Sequence, residues 1–68
     1  MYEVKTEECC HSTKSRKTYN VNLISWDRRG SGVSFGKAFN VGKRAAKKEA
    51  LYIAELYNAE IVDNAGIM

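Results

Sequence analysis

A chain of 68 residues is expected to form one small domain, near the size at which a single core only just outweighs the entropy lost on folding. With 44% apolar residues, four Tyr, two Phe and one Trp it is no disordered polyelectrolyte, and it has neither the ~18-residue apolar run of a membrane span nor the hydrophobic start of a signal peptide. Its net charge of +3 hides an asymmetry: residues 11–48 hold ten of the eleven Lys and Arg against the single acid Asp27, and the other seven acids lie on either side. With no span or signal peptide in view an intracellular protein is expected, and the polycationic centre between acidic ends points to a polyanionic partner, nucleic acid ahead of membrane, since no segment reads as a surface-lying amphipathic helix.

Tyr2 to Glu8 alternates Tyr2, Val4 and Thr6 against Glu3, Lys5 and Glu7, which predicts a short strand with one inward face. Cys9 to Lys17 is polar and increasingly basic, with His11, Lys14, Arg16 and Lys17 among Ser and Thr, and reads as an exposed connection. Adjacent Cys9 and Cys10 can close only a strained ring, so free thiols are expected. Cys9, Cys10 and His11 lack the spacing and the fourth ligand of a structural zinc site, and no acid or nucleophile stands at a recognisable catalytic spacing from His11. No metal, cofactor or catalytic centre is therefore expected, and the chain does not read as an enzyme.

Thr18 to Trp26 predicts a second strand, with Tyr19, Val21 and Leu23 facing one way and Asn20 and Asn22 the other. Ile24 and Trp26 then fall on the polar parity. Either a bulge switches the face there or these two side chains cover something on the far side. Asp27 to Gly32 is a turn by composition, with Arg28 and Arg29 exposed. Val33 to Val41 predicts a third strand, with Val33, Phe35, Phe39 and Val41 sharing one face, interrupted by Lys37.

A sheet with one apolar face needs one covering layer, and the helix predicted after Gly42 supplies it. Ala46, Ala50, Ile53 and Tyr57 stack into one stripe, Ala54 and Leu56 widen it, and Arg44, Lys47 and Lys48 fall off it. The charges run against helix stability: Lys43, Arg44, Lys47 and Lys48 crowd the N-terminal half, where cations are unfavourable and acids favoured by about 0.3–1 kcal/mol each. That reversal fits a helix N-terminus whose free N–H groups face phosphates, and the alternative is a solvated basic face. Residues 58–68, with the short β-branched centre Ile61-Val62, are expected as a tail or packing arm in preference to a short added strand, with the domain proper at 1–57. The fold class expected is α+β, a three-stranded antiparallel sheet with a C-terminal helix packed on one face.

Lys43-Arg44-Ala45-Ala46-Lys47, with Ala50, Ala54 and Leu56 after it, resembles the Lys-Lys-x-Ala-Lys helix start of the double-stranded RNA-binding domain. Gly36 to Gly42 is similar to the glycine-rich third strand that leads into that motif, Tyr2-Glu3-Val4 to the start of the first strand, and Tyr19-Asn20-Val21 to the second. The resemblance runs from Tyr2 to Leu56. The chain departs from the family in lacking its N-terminal helix, in having no Gly-Pro-x-His in the first loop, and in carrying Gly42 where a capping Ser is usual. The resemblance implies a β-β-β-α core that binds duplex RNA by shape, with Lys43, Arg44, Lys47 and Lys48 on phosphates and the loop bearing His11, Lys14, Arg16 and Lys17 near a minor groove. It also implies a module of an RNA-processing or RNA-silencing protein.

The alternative expectation is a protein-interaction or dimerisation module on the same fold, with weak or no RNA binding. Ile24, Trp26, Leu51 and Tyr52 are its candidate contacts, and the surface left by the missing helix is its candidate site for a protein partner or for self-association.

Overall fold

The computed structural model describes residues 1–68, with β1 (Tyr2–Glu8), β2 (Tyr19–Trp26), β3 (Gly32–Val41), α1 (Lys43–Tyr57) and β4 (Glu60–Asp63) in chain order. The strands form one sheet in the order β3-β2-β1-β4, and α1 touches all four. β1–β2 and β2–β3 pair antiparallel, whereas β1–β4 is parallel. The architecture is thus α+β with a mixed four-stranded sheet. β3 and β4 run in the same direction, so the chain between them must cross the sheet, and α1 is that crossover. No helix is long and apolar enough to cross a membrane.

The core follows from the alternation in β1 and β2. Val4 pairs with Leu23 and Thr6 with Val21, and these side chains meet the Ala46, Ala50 and Ile53 stripe of α1. Both alanines are wholly buried, leaving no side-chain bulk to hold the helix backbone off the sheet. Ile53 is the largest of the fully buried side chains, and trimming a residue so placed to Ala costs about 2–5 kcal/mol. Leu56, expected to widen the stripe, is instead 61% exposed, because the helix buries a narrower face than its apolar composition offers.

Residues 58–68 differ from the expected tail. Asn58 takes a left-handed conformation (φ 51°), and the Asn58 and Ala59 N–H groups donate to Glu55 and Ala54 carbonyls, which ends the helix and reverses the chain. The chain then enters β4, with Ile61 beside Val4 and Val62 beside Lys5. At the end of β4 the Asp63 carboxylate accepts the Thr6 hydroxyl at 2.6 Å and the Ile67 and Met68 N–H groups at 3.1 and 2.9 Å. That clasp bends the last residues back and buries Ile67 in the core. Four residues of strand thereby cover the β1 edge, whose backbone groups would otherwise be open to another chain.

β3 also departs from strict alternation. Its register with β2 shifts twice: Leu23 pairs with Phe35, Val21 with Ala38 and Tyr19 with Val41. Ala38 and Val41 therefore pack against the core, while Phe39, expected inward, is 64% exposed. The β1–β2 pairing runs without interruption through Ile24 and Ser25, so no bulge turns Ile24 and Trp26 inward. They lie on the far face of the sheet, where the Trp26 ring sits over Gly32 beside Ile24 and the Lys5 ammonium stands 6.0 Å from the ring centroid. Ile24 is buried there, not an exposed contact, and Trp26 is half-buried.

Candidate nucleic-acid interface

The hairpin and the crossover bring the basic segments to one end of the sheet. β1 ends at Glu8 opposite Tyr19, where β2 begins, and Tyr19 in turn pairs with Val41, where β3 ends. The 9–18 loop and the start of α1 therefore leave the sheet side by side. The His11 ring meets the Phe39 ring edge-on at 5.8 Å, which fastens the loop to the end of β3. Nothing in the sequence spacing marks Phe39 for that role, because period-two alternation assigns it to the core.

The loop is ordered by its own small polar residues. Cys9 N–H donates to the Thr18 carbonyl at 2.9 Å, Thr18 N–H to Ser12 Oγ at 3.1 Å, and Thr13 and Arg16 exchange hydrogen bonds across a tight turn. Cys9, at the loop's base, is a buried free thiol and Cys10 is an exposed one. Thr18 is buried too, and its hydroxyl has no partner. Lys17 pairs with Glu8 at 3.2 Å, and the Ser12 hydroxyl together with that ammonium holds the Glu8 carboxyl below its ordinary range. Lys14 and Arg16 are exposed, as is His11.

The helix start is fixed through Asn40, which is left-handed at φ 56° and donates its N–H to Asn20 Oδ1 at 2.9 Å. Asn accepts that conformation more readily than other side-chain-bearing residues. Gly42 follows as N-cap in extended conformation and offers no side-chain acceptor, and the first turn contains no acid. The leading N–H groups of α1 thus lack a side-chain cap. Lys43, Arg44, Lys47 and Lys48 are all exposed around this terminus. The ion pairs of the chain join Lys5 to Glu3 and Lys17 to Glu8, so the four helix cations, Lys14 and Arg16 have no carboxylate partner.

The structure therefore gathers the helix cations and the loop residues His11, Lys14, Arg16 and Lys17 at one end of the molecule, with Lys17 tied to Glu8. The apolar candidates are scattered: Ile24 and Trp26 lie on the far face of the sheet, and Leu51 and Tyr52 are exposed on α1. Comparison with protein-family models, with characterised proteins and with solved structures finds no match to this chain.

Proposed function

We propose that this chain binds double-stranded RNA at the basic end formed by the start of α1 and the 9–18 loop, as a module of an RNA-processing or RNA-silencing protein. The observation that carries the reading is the uncapped N-terminus of α1 surrounded by four cations without carboxylate partners. Such a terminus is unfavourable for the isolated helix and becomes favourable when an anion occupies it. Lys43, Arg44, Lys47 and Lys48 hold phosphates, and the ordered loop brings His11, Lys14 and Arg16 towards a neighbouring groove. Contacts of this kind read duplex shape and charge rather than base sequence. The resemblance to double-stranded RNA-binding domains supports the same partner.

The test is an NMR titration of the labelled chain with an RNA duplex of about 20 base pairs, longer than the ~16 that such domains span, and with DNA of the same sequence. Shifts at Lys43, Arg44, Lys47 and the loop, stronger with RNA and weakened by salt, are expected. In a parallel binding assay, Lys43→Ala with Lys47→Ala should reduce the slope of log Kobs against log salt by about two. An unperturbed spectrum at low salt would refute RNA binding. A protein-interaction role is the second reading, favoured by the exposure of Phe35, Leu51, Tyr52 and Leu56 in so small a chain.

A further inference from the structure

α1 crosses the sheet and leaves part of the apolar face uncovered beside its C-terminal turn. A cleft of about 290 Å³ opens there, lined by Tyr2, Leu23, Ser25, Phe35, Lys37 and Tyr57. Its aromatic wall is preformed, with the Tyr2 and Tyr57 rings 5.1 Å apart. Lys37 is the one charged residue of the lining; its ammonium stands 5.9 Å from the Tyr57 ring and has no carboxylate partner. Next to the cleft the same end of α1 carries an exposed apolar ridge whose one charged residue is acidic. Tyr52 and Leu56, one helical turn apart, are each 61% exposed, and the exposed Glu55 beside them has no cation partner.

We propose that this face is the interface of a homodimer, in which a two-fold axis seats the Tyr52–Leu56 ridge of each copy in the cleft of the other and pairs each Glu55 with the partner's Lys37. Cleft and ridge adjoin at Leu56 and Tyr57, so they form one continuous face, and a face that complements itself closes under a two-fold. Both halves are aromatic and apolar, the composition that anchors the centre of an interface. Each half carries one unpaired charge, and the two charges are opposite, which selects a second copy over an arbitrary apolar partner. The α1 N-terminus lies about 20 Å away along the helix, so the dimer leaves both basic ends free.

The proposal does not depend on RNA binding, and its test separates the two. Sedimentation equilibrium of the intact chain from about 1 µM to about 1 mM, the range of weak to moderate dimers, is run on wild type, Lys37→Glu, Glu55→Lys and the double swap. Both side chains are exposed, and circular dichroism checks that each variant stays folded. Wild type is expected to dimerise, each single reversal to raise the dimer Kd about tenfold or more by opposing like charges, and the double swap to recover wild-type affinity. A wild type that stays monomeric at 1 mM overturns the proposal. So does a dimer indifferent to either single reversal, or a double swap that restores nothing.

Discussion

The Thr6 hydroxyl donates a 2.6 Å hydrogen bond to Asp63 Oδ1, joining the first strand to the last across 57 residues of chain. Thr6 is wholly buried, so its hydroxyl has no access to water and Asp63 is its means of satisfaction. Thr6→Val keeps the shape and removes the donor. Urea unfolding at neutral pH is expected to show a loss of about 1–2 kcal/mol.

The same contact carries a pH signature. Asp63 is held below its ordinary value of 3.8, first by the Thr6 hydroxyl and then by the Met68 N–H. A carboxyl depressed in the folded state contributes stability above its unfolded value, and that contribution disappears as pH falls through the folded value. The melting temperature of wild type should therefore drop as the pH goes from about 5 towards 2, and the advantage of wild type over Asp63→Asn should shrink over the same interval. Glu8 is depressed as well, so the variant keeps a weaker acid response of its own. A constant gap between the two proteins across that range would mean that the Asp63 charge is not what holds the clasp.

Gly32 leaves room for the Trp26 ring. A Cβ at this position would stand 2.9 Å from Trp26 Cε3 and Cζ3 and 3.1 Å from Ile24 Cγ2. Gly32→Ala is expected to cost about 1–3 kcal/mol through overpacking. Trp26 is the single Trp, so its displacement should appear directly as a shift in fluorescence emission. Unchanged emission would mean that the ring is not seated over Gly32.

Gly42 sets stability against binding. Its extended backbone suits any residue, and a Cβ there meets nothing within 4 Å. Gly42→Asp adds a capping acceptor and a negative charge at the helix start, worth about 0.5–1 kcal/mol together. Thermal unfolding should move up while affinity for duplex RNA falls, because the carboxylate takes the place of phosphate. A variant that gains stability and binds RNA as before would place the phosphate contact elsewhere.

The strands β1 and β2 and the helix α1 are legible in the sequence because each satisfies a local rule: alternation from Tyr2 to Glu8 and from Tyr19 to Leu23, a 3.6-residue stripe through Ala46, Ala50 and Ile53. What the local rules miss is set by pairing at a distance. Ile61 and Val62 are so short a run that a strand is only the less favoured reading of the sequence, and they become one because the β1 edge accepts them. The parity of Phe39 fails because two register shifts intervene between Phe35 and Val41, and a single strand carries no mark of its partner's offset. The same holds for the candidate site. The helix cations and their missing cap are visible in residues 42–48, but their nearness to His11 depends on the β1–β2 hairpin ending beside the last residues of β3. The cleft beside Tyr57 has no mark in the sequence, where helical spacing assigns Tyr57 to the buried stripe.

The parallel pairing of β1 with β4 also bears on how the chain is made. Val4 and Thr6 are synthesised about fifty residues before the elements that seal them, Ile53, Ile61, Asp63 and Ile67. The antiparallel meander can assemble early through local turns, but its β1 edge stays bare, and the Thr6 hydroxyl bound only to water, until β4 and Asp63 have been made. Folding is thus expected to complete in a late step, with synthesis exposing β1 for longer than any other strand and making it the segment most in need of shielding from neighbouring chains.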